Sequence, residues 1–162
     1  MRSARLRCLI FLGAMAVQRL AVASTATSAF QVTATVGATC TLTSTNLAFG
    51  GYSGSQLAAT STLSVVCTLS TPYNVGLSAG ISTGATVSSR AMTGSTSAAL
   101  LHYGLYADAA HTVNWGNTVG TDTLAGVGTG TAQALTIYGM IPASQGVPAD
   151  SYADTVTATI TY

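Results

Sequence analysis

Ser151–Tyr162 reads SYADTVTATITY, and its second half carries the information that decides the fold. From Thr155 onward, Val156, Ala158, Ile160 and Tyr162 alternate with Thr155, Thr157, Thr159 and Thr161. Alternation at period two, with β-branched residues on the polar side, is the pattern of a half-buried strand. The chain stops at the end of that strand. A sandwich strand so placed either lies beside an earlier strand or leaves an edge for another chain. The rest of the sequence favours the second option.

Working back from this stretch, short alternating runs dominate. Phe30, Val32, Ala34 and Val36 alternate with Gln31, Thr33 and Thr35. Leu63, Val65 and Cys67 form a second run, Tyr73, Val75 and Leu77 a third, and Leu101, Tyr103 and Leu105 a fourth. Ala134–Met140 (ALTIYGM) is a fifth, closed by Pro142. No 3.6-residue period persists, and Gly, Asn, Asp and Pro punctuate the runs. About seven short strands of this kind predict an all-β chain, an antiparallel sandwich of immunoglobulin type. Gly126–Gly130 (GVGTG) lacks the Lys and the strand–turn–helix context of a phosphate loop and is expected to be a hairpin or loop.

Residues 1–23 have the pattern of a secretory signal peptide. Arg2, Arg5 and Arg7 precede the apolar run Cys8–Val17, and Ala21-Val22-Ala23 is a small-x-small cleavage pattern. The run is too short to span a bilayer. Residues 24–162 then form one domain. Four of the five arginines leave with the leader, so Arg90 remains against Asp108, Asp122, Asp150 and Asp154, and the net charge moves from +1 to −3. A single cation cannot build a nucleic-acid groove or a polybasic membrane anchor. Neither nucleic acid nor stable membrane insertion is expected, and Arg90 is expected to pair with an aspartate. Cys40 and Cys67 remain as an even pair in an oxidising compartment, which predicts a disulfide. Closing a loop of about 27 residues contributes roughly 3–4 kcal/mol in the chain-entropy model.

The ordered motifs resemble a known family. They are Cys40 with Phe49-Gly50-Gly51-Tyr52, then Val66-Cys67-Thr68 with Thr71-Pro72-Tyr73, then Arg90-Ala91-Met92 and Leu101–Asp108 (LHYGLYAD). Trp115-Gly116, Tyr138-Gly139-Met140-Ile141-Pro142 and Tyr152–Val156 (YADTV) follow. The set is similar to the spore coat protein U-like domain family, which includes subunits of archaic chaperone–usher pili. One departure is Ala149-Asp150, where the family tends to place a Gly before the Ser-Tyr.

The resemblance implies an incomplete immunoglobulin-like sandwich lacking its final strand and completed by donor-strand complementation. It also implies three kinds of partner: a periplasmic chaperone, an outer-membrane usher, and other copies of itself or related pilins. The expected product is a surface pilus, supporting adhesion and biofilm formation, on an exported protein without a cofactor. On the sequence itself, Phe30, Val32, Ala34 and Val36, within residues 24–36, are the candidate donor strand. Val156, Ala158, Ile160 and Tyr162 are the candidate acceptor-groove strand. Phe30–Val36 also reads as an ordinary first strand of its own domain. An exposed sheet edge is an aggregation site until another strand covers it.

Catalytic signals are weak. His102 and His111 are the two histidines, there is no nucleophile elbow, and four Asp do not form a carboxylate pair at readable spacing. Two Cys and two His without C-x-x-C spacing make a poor metal site. The chain is therefore read as a non-enzyme with no catalytic, metal or cofactor residues. The alternatives are a sandwich that binds a surface glycan through Tyr52, Tyr73, Tyr103, Tyr106, Trp115 or Tyr138, secreted or at a fibre tip, and a spore or cell coat component.

Overall fold

In a computed structural model, residues 20–162 are described, and they contain nine β-strands and no helix. The bulk of the leader reading (residues 1–19) lies outside the described residues. Residues 20–39 carry no regular secondary structure. The compact unit begins at Thr35 and runs to Tyr162.

The strands are β1 (Cys40–Ser44), β2 (Leu57–Cys67), β3 (Pro72–Leu77), β4 (Arg90–Gly94), β5 (Leu100–Tyr106), β6 (Leu124–Val127), β7 (Gln133–Ile141), β8 (Tyr152–Ala153) and β9 (Ala158–Thr161). They form two antiparallel sheets, one ordered β1-β2-β7-β5-β4-β8 and the other β6-β3-β9. The longest ladder, β2 on β7, runs from Leu57 opposite Ile141 to Val65 opposite Gln133. Alternation then decides which side chains face inward. Leu63, Val65 and Cys67 of β2 meet Tyr73, Val75 and Leu77 of β3, with Leu101, Tyr103 and Leu105 of β5 and Ile137 and Ile141 of β7. The fold is an all-β, immunoglobulin-like sandwich, as expected.

Three local readings change. Gly126 lies inside β6, opposite Tyr73, while Gly128–Gly130 is loop, as one of the two expectations had it. β6 and β7 belong to different sheets, so the run is a strand end and a crossing loop and not a hairpin. A Cβ at Gly126 would overlap the Tyr73 ring, so the missing side chain is what lets the ring lie across the strand. Arg90 is fully buried and has no aspartate on its guanidinium. Its Nε donates to Ser78 O at 2.8 Å, Nη1 to Val87 O at 2.6 Å, and Nη2 to Leu77 O and Trp115 O at 2.9 and 2.8 Å. Five fixed N–H groups suit a buried cluster of carbonyls where strands end, and satisfy what would otherwise be orphan acceptors. Finally, Phe30–Val36 is not the first strand of its own domain, since the first strand starts at Cys40.

Candidate functional site

The site is a seam between the sheets. β1 is one edge of the larger sheet, and β9 is one edge of the smaller. β1 pairs only with β2 and β9 only with β3, so each keeps a free edge facing the other, and the two edges approach to within 8 Å between Cα atoms at several positions. Two adjoining cavities fill the gap, and they share Ser44 and Ala158. The smaller, about 350 Å³, lies between Leu42–Ser44 of β1 and Ala158–Ile160 of β9. The larger, about 540 Å³, opens over Leu47, Phe49, Leu77, Met92, Tyr103, Leu105, Ile137 and Val156. Together they make a groove whose apolar floor is the domain core and whose lining also includes Ser44, Asn46, Ser61, Asp154 and Thr159.

Local sequence explains the groove walls. After β1 the chain turns through Thr45, whose hydroxyl contacts Ser61 Oγ at 3.0 Å and whose backbone N–H donates to Thr62 O. This anchors the 45–52 segment along the sheet. Gly139 then gives room: a Cβ there would press on Leu47 and Phe49, which lie over β7. Phe49 meets the Tyr103 ring edge-on at 6.1 Å. On the opposite wall, Ser78 holds the start of β9, with Ser78 N donating to Thr157 O and Thr157 N to Ser78 Oγ, both at 2.9 Å.

One polar pair sits in this apolar setting. Tyr103 Oη donates to Asp154 Oδ2 at 2.6 Å, and Asp154 Oδ1 accepts from Ile81 N and Thr155 N at 2.8 Å each. Burial, together with the Asp154 carboxylate, pushes the Tyr103 phenol well above its ordinary value. The group stays neutral and acts as a donor.

The predicted site residues fall into three sets. Cys40 and Cys67 are bonded and tie β1 to β2 at opposed register positions. Val156, Ala158 and Ile160 all pack on the core and line the groove, although only Ala158 and Ile160 lie in β9. Tyr162 does not join them: it follows the last strand residue and is 57% exposed. Its alternation continues past the last backbone pair, Asn74 with Thr161. Phe30, Val32 and Val36 are 86%, 81% and 83% exposed, and Ala34 is exposed too.

The residues that sequence reading missed are Leu42, Leu47, Phe49, Met92 and Asp154. Leu42 sits in a five-residue strand, and Leu47 and Phe49 lie in no strand, so no period marked them.

The remaining polar groups have local partners. Asp150 accepts backbone N–H groups from Ser97 and Thr96 and the Ser95 and Ser97 hydroxyls, which hold its carboxyl well below the usual range. Asp108 is lowered likewise by Val113 N–H and Thr112. Asp122 accepts Thr118 N. The backbone of His102 is bridged by the Gln145 amide. Of the aromatics considered for sugar stacking, Tyr73, Tyr103 and Trp115 are core. Half-buried Tyr52 donates its hydroxyl to Pro142 O and accepts Gln145 N–H, each at 2.9 Å. That leaves half-buried Tyr106 and Tyr138, with His111 edge-on to both at 5.3 and 6.5 Å. Among the described residues no cluster of His, Cys, Asp or Glu could hold a metal ion, and no helix is long and apolar enough to cross a membrane.

These features define a class: a disulfide-tied antiparallel sandwich with one open, apolar seam. The chain belongs to the Spore Coat Protein U domain family, whose pattern it matches over residues 26–159. It is 38% identical over 158 residues to Protein U of Myxococcus xanthus, covering 88% of each chain. Its fold resembles a chain in the crystal structure of the CsuC–CsuE chaperone–tip adhesion subunit pre-assembly complex, from the archaic chaperone–usher Csu pili of Acinetobacter baumannii. That match has a TM-score of 0.58 at 25% identity, covering 79% of this chain and 40% of the other.

Proposed function

We propose that this chain is a structural subunit of a surface pilus, assembled by the chaperone–usher route through strand donation. One observation carries the reading: the groove between β1 and β9 lacks a strand, while the alternating segment Phe30–Val36 forms none and stays exposed. A strand entering the seam would add to the free backbone edge of β1 or of β9 and set alternate side chains on the core. The two edges approach within 8 Å, less than the roughly 9.5 Å that two strand spacings need, so they part when it pairs on both sides. Phe30, Val32, Ala34 and Val36 have that spacing, and burying them contributes on the order of 4–8 kcal/mol.

The neighbouring structure, a chaperone bound to a pilus subunit, supports a periplasmic chaperone as the first occupant. An outer-membrane usher and further copies follow in the proposed route, after export with loss of residues 1–23. A contact between one copy's segment and the next copy's groove is heterologous and does not close, so it yields a fibre. Adhesion and biofilm formation are the expected roles of such a fibre. The four aspartates and the buried Arg90 are engaged in holding turns and strand ends, which supports a protein without catalytic function. The match to the Spore Coat Protein U domain favours a second reading, a cell or spore coat built by the same strand donation.

Material sheared from producing cells and run on a denaturing gel, with and without boiling, tests this. A ladder that collapses on boiling and disappears on deletion of residues 24–36 is expected. A monomer band in both lanes, from a protein soluble without a chaperone, overturns the reading and points instead to Tyr106, His111 and Tyr138 as a ligand surface.

A further inference from the structure

We propose that two exposed apolar spots at opposite ends of the domain, Leu69 with Val127 at one end and Ile81 at the other, pack together between successive copies of this chain. The joint then holds a second contact beside the inserted strand. This inference rests on the strand-donation reading above.

The first end is where β1 begins, β2 finishes and β3 starts. Leu69 lies in the turn between β2 and β3 and is 69% exposed, while Val127, opposite Pro72, is 55% exposed. Ser70 N donates to Gly128 O at 2.8 Å, which brings the backbone next to Leu69 against the backbone next to Val127. The turn also grips the incoming chain. Thr68 N donates to Thr39 O at 2.9 Å, and Thr39 N donates to Thr68 Oγ1 at 3.1 Å.

That grip sets a short tether. Val36, the last apolar donor residue, is four residues before Cys40, and four Cα steps reach at most about 14 Å. The Thr39–Thr68 contacts shorten the free part further. Any copy that receives Val36 in its groove therefore comes up against this end of the domain.

The receiving end follows from strand direction. β9 runs toward the first end, since Thr161 lies opposite Asn74 near the start of β3. A donor entering there would bring two donating ends face to face, giving closed pairs. An open polymer needs entry from the other end, where the groove widens between Leu77, Asp154 and Val156. Ile81 stands at that mouth, 76% exposed, its backbone N–H bound to Asp154 Oδ1 at 2.8 Å. Single exposed aliphatic residues are ordinary. Here the tether brings them within reach of each other.

The test uses Leu69→Cys and Ile81→Cys, alone and combined, in fibres sheared from cells and treated with a short bis-maleimide. Cys40 and Cys67 are bonded to each other and do not compete. Covalent multimers that survive boiling from the double variant, and from neither single variant, are expected. An unboiled ladder without covalent multimers overturns the joint while strand donation stands. Crosslinking of either single variant means like ends meet and overturns it as well. Absence of any unboiled ladder from the unaltered chain removes strand donation itself. A Val127→Cys, Ile81→Cys pair gives the same readings where the first pair fails to assemble.

Discussion

Tyr103 donates its phenolic hydrogen to Asp154 at 2.6 Å, joining the middle of β5 to the turn that leads into β9. The bond ties one sheet to the other across the open groove, where no strand does so. Asp154 also accepts Ile81 N and Thr155 N, so a single carboxylate positions the groove mouth and the start of its wall. The groove is thus preformed on one side by a polar anchor set among apolar residues.

Tyr103→Phe removes that tie. The bond goes to a charged acceptor, so its loss costs about 1.5–3 kcal/mol in denaturant unfolding near neutral pH. The pH dependence is more diagnostic. The phenol titrates above its unfolded value near 10, so the stability it contributes is complete below pH ~10 and falls as pH rises beyond it. Wild-type stability declines in that alkaline range by about 1.4 kcal/mol per pH unit for this group, and Tyr103→Phe lacks that component. Equal alkaline slopes in the two proteins would contradict the assignment.

Arg90→Met leaves four backbone carbonyls, at Leu77, Ser78, Val87 and Trp115, without their donors. Unpaired buried acceptors cost about 1–3 kcal/mol each before relaxation, so a loss of roughly 3 kcal/mol or more is expected. Arg90→Lys recovers only part, because an ammonium has three donors at one point and cannot span the four carbonyls. Urea midpoints for the three proteins should fall in the order Arg, Lys, Met.

The acid limb reports on another anchor. Backbone and hydroxyl donors from Ser95, Thr96 and Ser97 hold Asp150 ionised, so its contribution is present above the unfolded carboxylate value near 3.9 and is lost as pH falls below it. Asp150→Asn is therefore less stable than wild type at pH 6, and the gap narrows between about pH 4 and pH 2. A gap constant across that range would remove Asp150 from the acid response.

Strands with a buried face were legible because alternation forces every second residue inward, as at Leu63, Val65 and Cys67 or Leu101, Tyr103 and Leu105. The cysteine pair was legible from count alone. β6 was hidden, because Gly126 contributes no side chain and the ring that covers it belongs to Tyr73. Arg90 was misread because charge counting finds aspartates, whereas its partners are carbonyls that no composition reveals. Half of the groove was visible in Val156, Ala158 and Ile160. The other wall, Leu47 and Phe49, depends on Gly139 leaving space in a strand far along the chain.

The proposed donor segment offers a way to separate folding from assembly. Val32 is 81% exposed, and surface changes of that kind usually alter stability by less than about 0.5 kcal/mol, so Val32→Asp should unfold at the same urea midpoint as wild type. In a groove it fares differently, because an unpaired carboxylate would be set against the apolar floor of Leu77, Leu105 and Ile137. Its neighbour points the other way in an extended strand, so Thr33→Asp keeps its charge toward solvent. Val32→Asp is expected to abolish the heat-sensitive ladder while Thr33→Asp preserves it, as read on the same unboiled gel. Equal loss from both changes would mean that charge near the terminus, rather than insertion of alternate side chains into the seam, controls assembly.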